Sequence, residues 1–233
     1  MNKHIATTDP KAGLKLTEIF YSLQGEALAS GLPTIFIRLT GCPLRCVYCD
    51  TTYSFYGGEP WSLQAILEHI SQYPCKRICL TGGEPLAQSN AIALMELLLE
   101  NGYEISLETA GALPVRKVPL AVSKVMDLKT PSSGEVKRNL WQNLDYLTKH
   151  DQIKLVIMNR EDYDWAKQQV LERNLLDKVG VVWFSPMFNI DDERTSEVPS
   201  LAVELAEWIL EDGLDVRMQL QLHKIIWADA KGK

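Results

Sequence analysis

The chain has 233 residues, 46% of them hydrophobic and 23% charged, with a net charge of -6. That is enough for one domain with a substantial core, and the acidic balance argues against a broad nucleic-acid surface, which needs clustered Lys and Arg. No apolar run approaches the roughly 20 residues of a membrane span, and no secretory apolar stretch follows Met1–His4, so the cytoplasm is the expected compartment.

Short runs rich in β-branched and apolar residues predict strands at Leu16–Tyr21, Thr34–Leu39, Arg77–Thr81, Glu104–Glu108, Leu120–Ser123, Ile153–Ile157, Val179–Phe184 and Asp215–Leu220. Helices are predicted between them. Ser62 is a good N-cap before Leu63–Ser71. Asn90–Asn101 closes at Gly102 and Ser200–Asp212 at Gly213, both C-cap signals. Arg160–Asn174 is a further helix, and the polar Asp191–Pro199 reads as a solvated loop. Strand–helix alternation implies a mostly parallel sheet with right-handed crossovers. The expected fold is α/β, a single domain over residues 1–233 shaped as an incomplete (β/α) barrel. In such folds chemistry gathers at the C-terminal ends of the strands.

Directly after the second predicted strand comes Cys42-Pro-Leu-Arg-Cys46-Val-Tyr-Cys49. Three thiolates on one short loop can hold three irons of a [4Fe–4S] cluster, which normally takes four cysteines. The fourth iron is then open to a small molecule. A structural zinc site with Cys75 or Cys79 as fourth ligand is the competing reading. Disulfides are not expected, because five cysteines leave one over. After the next strand comes Thr81-Gly82-Gly83-Glu84-Pro85. Paired glycines permit close backbone approach, and Glu84 offers a carboxylate beside them; alone, the motif also reads as a tight turn.

Together the two motifs resemble the radical S-adenosylmethionine (SAM) enzymes. The resemblance implies that Cys42, Cys46 and Cys49 hold the cluster. Tyr48 fits the aromatic usual between the last two cysteines. Gly82, Gly83 and Glu84 would hold the methionyl end of SAM. Residues at further strand ends would complete the cofactor site: Glu108, Ser123 and Lys124, and Ser185, Pro186, Met187 and Phe188 beside the adenine.

Phe20-Tyr-Ser-Leu-Gln24-Gly25-Glu26, Arg38 four residues before the first cysteine, Cys49-Asp50-Thr51, Leu107-Glu108-Thr109 and Gln221-Leu222-His223-Lys224 narrow the likeness. This set resembles the 7-carboxy-7-deazaguanine synthase family, at spaced motifs over nearly the whole chain. The resemblance implies a substrate, 6-carboxy-5,6,7,8-tetrahydropterin, cradled by Leu23, Gln24, Gly25 and Glu26. Arg38 would lie near its carboxylate, with Thr81 and His223 close by. Gln24 supplies amide donors and an acceptor, and an Arg can grip a carboxylate bidentately. The family reaction contracts the ring with loss of ammonia, on a pathway to queuosine. It uses SAM, Mg²⁺ at Thr51 (or Asp50), and electrons from a flavodoxin-like protein, in a homodimer.

The cysteine spacing here is the short superfamily form, and Ile225–Lys233 extends beyond the His-Lys pair. Cys75 and Cys79 are expected to be buried, apolar-like residues around a strand. A radical SAM activase acting on protein glycine would share the cysteines and the Gly-Gly-Glu turn. A zinc-stabilised binding module remains the non-enzyme alternative.

Overall fold

The structure, a computed structural model, describes residues 13–187, 200–228 and 230–233. The predicted Asp191–Pro199 loop and Phe188 lie outside the described residues. Nine strands form one sheet: β1 (Gly13–Leu23), β2 (Pro33–Leu39), β3 (Glu59–Ser62), β4 (Arg77–Gly82), β5 (Glu104–Thr109), β6 (Ser123–Asp127), β7 (Gln152–Ile157), β8 (Val181–Pro186) and β9 (Arg217–Met218). Helices α1 (Leu63–Ile70), α2 (Ala91–Glu100), α3 (Arg160–Glu172), α4 (Leu175–Lys178), α5 (Ser200–Asp212) and α6 (Leu222–Trp227) connect or follow them. Spatial order is β3-β1-β2-β4-β5-β6-β7-β8-β9. From β2 to β9 every pairing is parallel, while β1 lies antiparallel to both β2 and β3. The sheet does not close, so the expected incomplete (β/α) barrel is the observed architecture.

Local signals explain most of the elements. Ser62 Oγ accepts from Ala65 N–H at 3.1 Å and caps α1. Asn159 Oδ1 accepts from Asp162 N–H at 3.0 Å and caps α3. Alternation along the strands separates two layers. Ile35, Ile37, Leu39, Ile78, Leu80, Leu107, Ile153, Leu155 and Ile157 are fully buried in the outer layer, against the helices. Each is worth about 1.5–3 kcal/mol of burial. The intervening residues, among them Phe36, Arg38, Cys79, Thr81, Glu108, Lys154 and Val156, face a central cavity.

Two strand expectations are corrected, and one strand without a prediction is found. Leu120–Val122 is a turn, closed by Val122 N–H to Pro119 O at 3.0 Å, and β6 starts only at Ser123. The short β3, which contains Pro60, pairs with β1 without an alternating pattern to announce it. The last strand keeps two of the six expected residues, and α6 starts after Gln219, Leu220 and Gln221.

The segment between β1 and β2 spans the open side. Ala27 N–H donates to Gln219 Oε1 at 2.8 Å, Leu28 N–H to Gln152 Oε1 at 3.0 Å, and Leu222 N–H to Gly25 O at 3.0 Å. It thereby joins the β1–β2 side of the molecule to β7, β9 and α6.

Candidate active site

The cavity encloses about 590 Å³ and is walled on one side by the cysteine loop. That volume lies within the range of small-molecule sites. Cys42, Cys46 and Cys49 all line it, on the loop that leaves the C-terminal end of β2. The turn after β4 is stitched to the root of this loop. Gly83 N–H donates to Leu39 O at 3.1 Å and Glu84 N–H to Gly41 O at 2.8 Å. A Cβ on Gly82 would overlap Leu39 O, and one on Gly83 would stand 2.8 Å from Cys42 Cβ. The glycine pair is therefore needed for the approach of the two loops. Burial pushes the Cys46 thiol up to about 11 and raises Cys42 and Cys49.

Cys75 does not supply a fourth zinc ligand. Its Sγ lies 3.2 Å from the carbonyl oxygen of Pro33, at the N-terminal start of β2, and it is half-buried rather than buried. Cys79 is buried as expected, but it lines the cavity instead of joining the apolar core. Among the described residues no group of three or more His, Cys, Asp and Glu is placed to hold one metal ion. The triad, grouped on one loop and facing the cavity, fits the donor set of a cluster with one open iron.

Glu84 departs from expectation. It is fully buried and does not line the cavity. Its carboxylate accepts from Leu86 N–H at 3.0 Å, from Ala110 N–H at 2.7 Å and from the Thr109 hydroxyl at 2.9 and 3.0 Å. Three internal donors thus share the roughly four acceptor sites of this carboxylate. Glu84 braces the glycine turn against the end of β5.

Leu23, Gln24, Gly25, Glu26, Arg38, Thr81 and His223 are brought together along the cavity. Arg38 Nε pairs with Glu18 Oε1 at 2.7 Å, and Tyr53 O–H donates to the same oxygen at 2.8 Å. The guanidinium lies 5.8 Å from the ring centres of both Phe20 and Tyr53. Among the described residues its two terminal nitrogens make no hydrogen bond, so a fork remains for a carboxylate. Gln24 Oε1 accepts from Gly25 N–H at 2.9 Å. His223 comes from α6, with its affinity for a proton lowered by burial against the opposing pull of Glu26.

Deeper in the cavity lies a charge cluster that sequence reading caught only in part. Lys154 on β7 pairs with Glu26 at 2.7 Å, and Lys129 pairs with Asp127 at 3.0 Å. Burial opposes ionisation of Glu26, but Lys154 and the Gln221 amide outweigh it and bring its carboxyl down to about 2. Burial pushes Glu108 up to about 7, against the pull of Lys154 and with help from Glu26 and Asp127. Asp127 Oδ1 is buried and has no hydrogen-bond partner among the described residues. Lys154 interrupts an apolar strand, and that anomaly was the available signal.

Ser123 and Lys124 do not reach the cavity. They begin β6 rather than end a strand. Ser123 donates to His150 O at 2.8 Å, and Lys124 is buried in an ion pair with Asp151 at 2.9 Å. Asp127 and Lys129, at and just beyond the end of β6, line the cavity in their place. Ser185, Pro186 and Met187 line it, as do Tyr48, Asp50 and Thr51; the Thr51 hydroxyl donates to Asp50 Oδ1 at 2.6 Å.

A sequence model of the radical SAM superfamily matches residues 36–127, which hold the cysteine loop and the glycine turn. The 7-carboxy-7-deazaguanine synthase of Koribacter versatilis is 44% identical over 94% of this chain and 100% of its own length. That of Chlorobaculum tepidum is 38% identical over 95% and 98%. The crystal structure of QueE from Escherichia coli superposes with a TM-score of 0.71 at 24% identity, covering 91% of this chain and 95% of that one, and so shares the fold. No helix among the described residues is long and apolar enough to cross a membrane. With full-length relatives at this identity and the three cysteines set in the cavity wall, the chain belongs to the 7-carboxy-7-deazaguanine synthase family of radical SAM enzymes.

Proposed function

We propose that the cavity holds 6-carboxy-5,6,7,8-tetrahydropterin against the cysteine loop and that the chain catalyses its contraction to 7-carboxy-7-deazaguanine with loss of ammonia. The supporting observation is the gathering of Gln24, Glu26, Arg38 and Glu108 in one cavity with Cys42, Cys46 and Cys49. When bound, the cluster and SAM supply the hydrogen-abstracting radical. The protein supplies orientation and exclusion of water. Arg38, fixed through Nε by Glu18, offers its terminal nitrogens to the substrate carboxylate. Glu26, ionised and braced by Lys154 and Gln221, accepts from amino and ring N–H groups. Gln24, Thr81 and His223 complete the contact surface.

Gly82, Gly83, Tyr48, Asp127, Lys129 and Ser185–Met187, which line the cavity around the cysteine loop, would hold SAM. Thr51 or its partner Asp50 gives one oxygen to Mg²⁺, a hard ion that keeps several waters and borrows substrate oxygens. A homodimer, a flavodoxin-like electron donor and a cytoplasmic setting accompany this reading on the strength of the family. The enclosed Gln24–Glu26 wall favours a small heterocycle over the backbone glycine of a protein, the substrate of an activase.

Anaerobic incubation of the reconstituted protein with the pterin, SAM, Mg²⁺ and dithionite tests the proposal. Formation of 7-carboxy-7-deazaguanine by mass and absorbance is the expected result. SAM cleavage that leaves the pterin unchanged would overturn it.

A further inference from the structure

Lys154 Nζ stands 2.7 Å from Glu26 Oε2, 3.8 Å from Asp127 Oδ2 and 4.0 Å from Glu108 Oε2. One ammonium thus faces three carboxylates carried by the segment after β1, by β5 and by β6. It projects from β7, whose neighbouring residues Ile153 and Leu155 are fully buried. A charge so placed costs desolvation energy unless partners offset it. The fold does not need it to hold the Glu26 segment, because Gln219, Gln152 and Leu222 already fasten that segment. Glu108 has no hydrogen bond among the described residues, and Lys154 is the one cation within ion-pair distance of it.

We propose that Lys154 is a positioning residue for the pterin: its ammonium spans Glu26 and Glu108 and fixes the two carboxylates as a paired acceptor for the N–H edge of the ring. The proposal rests on the pterin reading above and deepens it. A 2-aminopyrimidinone edge presents adjacent amino and ring N–H donors, which need acceptors that are ionised and held apart at a set distance. Without a cation between them, two buried carboxylates repel, and at least one takes up a proton.

The other charged and titratable groups facing this pair do not replace Lys154. Lys129 is engaged by Asp127, and Arg38 by Glu18. His223 has its proton affinity lowered by burial, and the Cys79 thiol is pushed up to about 12 by burial and by Glu108. Loss of Lys154 therefore raises the pH at which Glu26 and Glu108 release their protons. The substrate then meets a protonated acceptor at pH values where the wild type presents an ionised one.

The test compares Lys154→Met and Lys154→Arg in the reconstituted enzyme, recording kcat/KM for the pterin against pH and KM for SAM. The Met variant should move the acidic limb upward by about one pH unit or more, as loss of a close opposite charge does. It should raise the pterin KM about tenfold near neutral pH and leave the SAM KM within about twofold. The Arg variant, which keeps the charge, should retain the wild-type limb. A Met variant with the wild-type limb and pterin KM overturns the proposal, as does an Arg variant that shifts the limb as far as Met does. Where the Met protein fails to fold, the Arg variant decides alone, because a shifted limb there assigns Lys154 a packing role. A wild-type enzyme that leaves the pterin unchanged overturns the pterin reading and this proposal with it.

Discussion

The α-carbon of Gly25 packs against the imidazole of His223: a Cβ at Gly25 would stand 2.8 Å from the ring Cγ and overlap Nδ1. The contact joins the segment after β1 to α6, two elements almost 200 positions apart in sequence. Gly25→Ala should displace His223 and the backbone that carries Gln24 and Glu26. The expected result is a pterin KM raised about tenfold or more, with SAM affinity unchanged. Equal losses in both would place His223 outside the pterin site.

Glu84 makes a second prediction, because its bonds are internal. Glu84→Gln replaces one carboxylate oxygen by an NH₂ that faces a backbone N–H or a hydroxyl. Leaving a buried donor unmatched costs about 1–3 kcal/mol. Denaturant unfolding of the cluster-free protein, with no SAM present, should show that loss. An unchanged midpoint together with collapsed SAM affinity would instead return Glu84 to the ligand.

For Glu108 the sign follows from its raised proton affinity. An unfolded carboxyl titrates near 4.5, and burial holds the folded one up to about 7. Below 4.5 both states are protonated and burial carries no penalty. The advantage of the folded state is lost as pH rises through 7. Glu108→Gln, neutral throughout, should therefore gain on the wild type by about 2–3 kcal/mol between pH 5 and pH 8. Thermal or urea unfolding of both proteins at the two pH values measures it. A difference independent of pH would mean that Glu108 ionises normally.

In the proposed Mg²⁺ site Thr51 would offer one neutral oxygen, with charge supplied by the substrate carboxylate or by Asp50 beside it. Thr51→Val should raise the Mg²⁺ requirement of turnover at saturating pterin and leave the cluster spectrum unchanged. Superimposable Mg²⁺ titrations would transfer the contact to Asp50.

The parts of the site that were legible in sequence sit where strand ends were recognised within a residue or two. Cys42, Thr81 and Glu108 follow or close strands whose apolar runs end abruptly, so their place at the rim was evident. Ser123 and Lys124 were misplaced for the converse reason. Leu120-Ala-Val122 is as apolar as a strand, yet Pro119 turns it, and a shift of three residues exchanged the start of β6 for its end. Asp127 and Lys129 went unnoticed for the same shift. Glu84 shows a different limit. Its carboxylate is bonded by Thr109 and Ala110, and nothing local to Gly-Gly-Glu-Pro announces partners 25 and 26 positions away. Lys154 was readable in principle, as a charge inside an apolar strand.

The bonds from Ala27, Leu28 and Gly25 across the open side bear on the order of folding. The parallel strands pair with neighbours that follow within a few tens of residues, so each pairing closes a short loop. The Ala27–Gln219 bond instead closes a chain separation of 192 residues, the kind of contact whose loop-closure entropy delays it. The wall that carries Gln24 and Glu26 is thus expected to assemble after the sheet that carries the cysteines. A chain arrested before α6 docks would hold a cluster loop and a glycine turn but no substrate chamber. It would be a species able to take up iron while blind to the pterin.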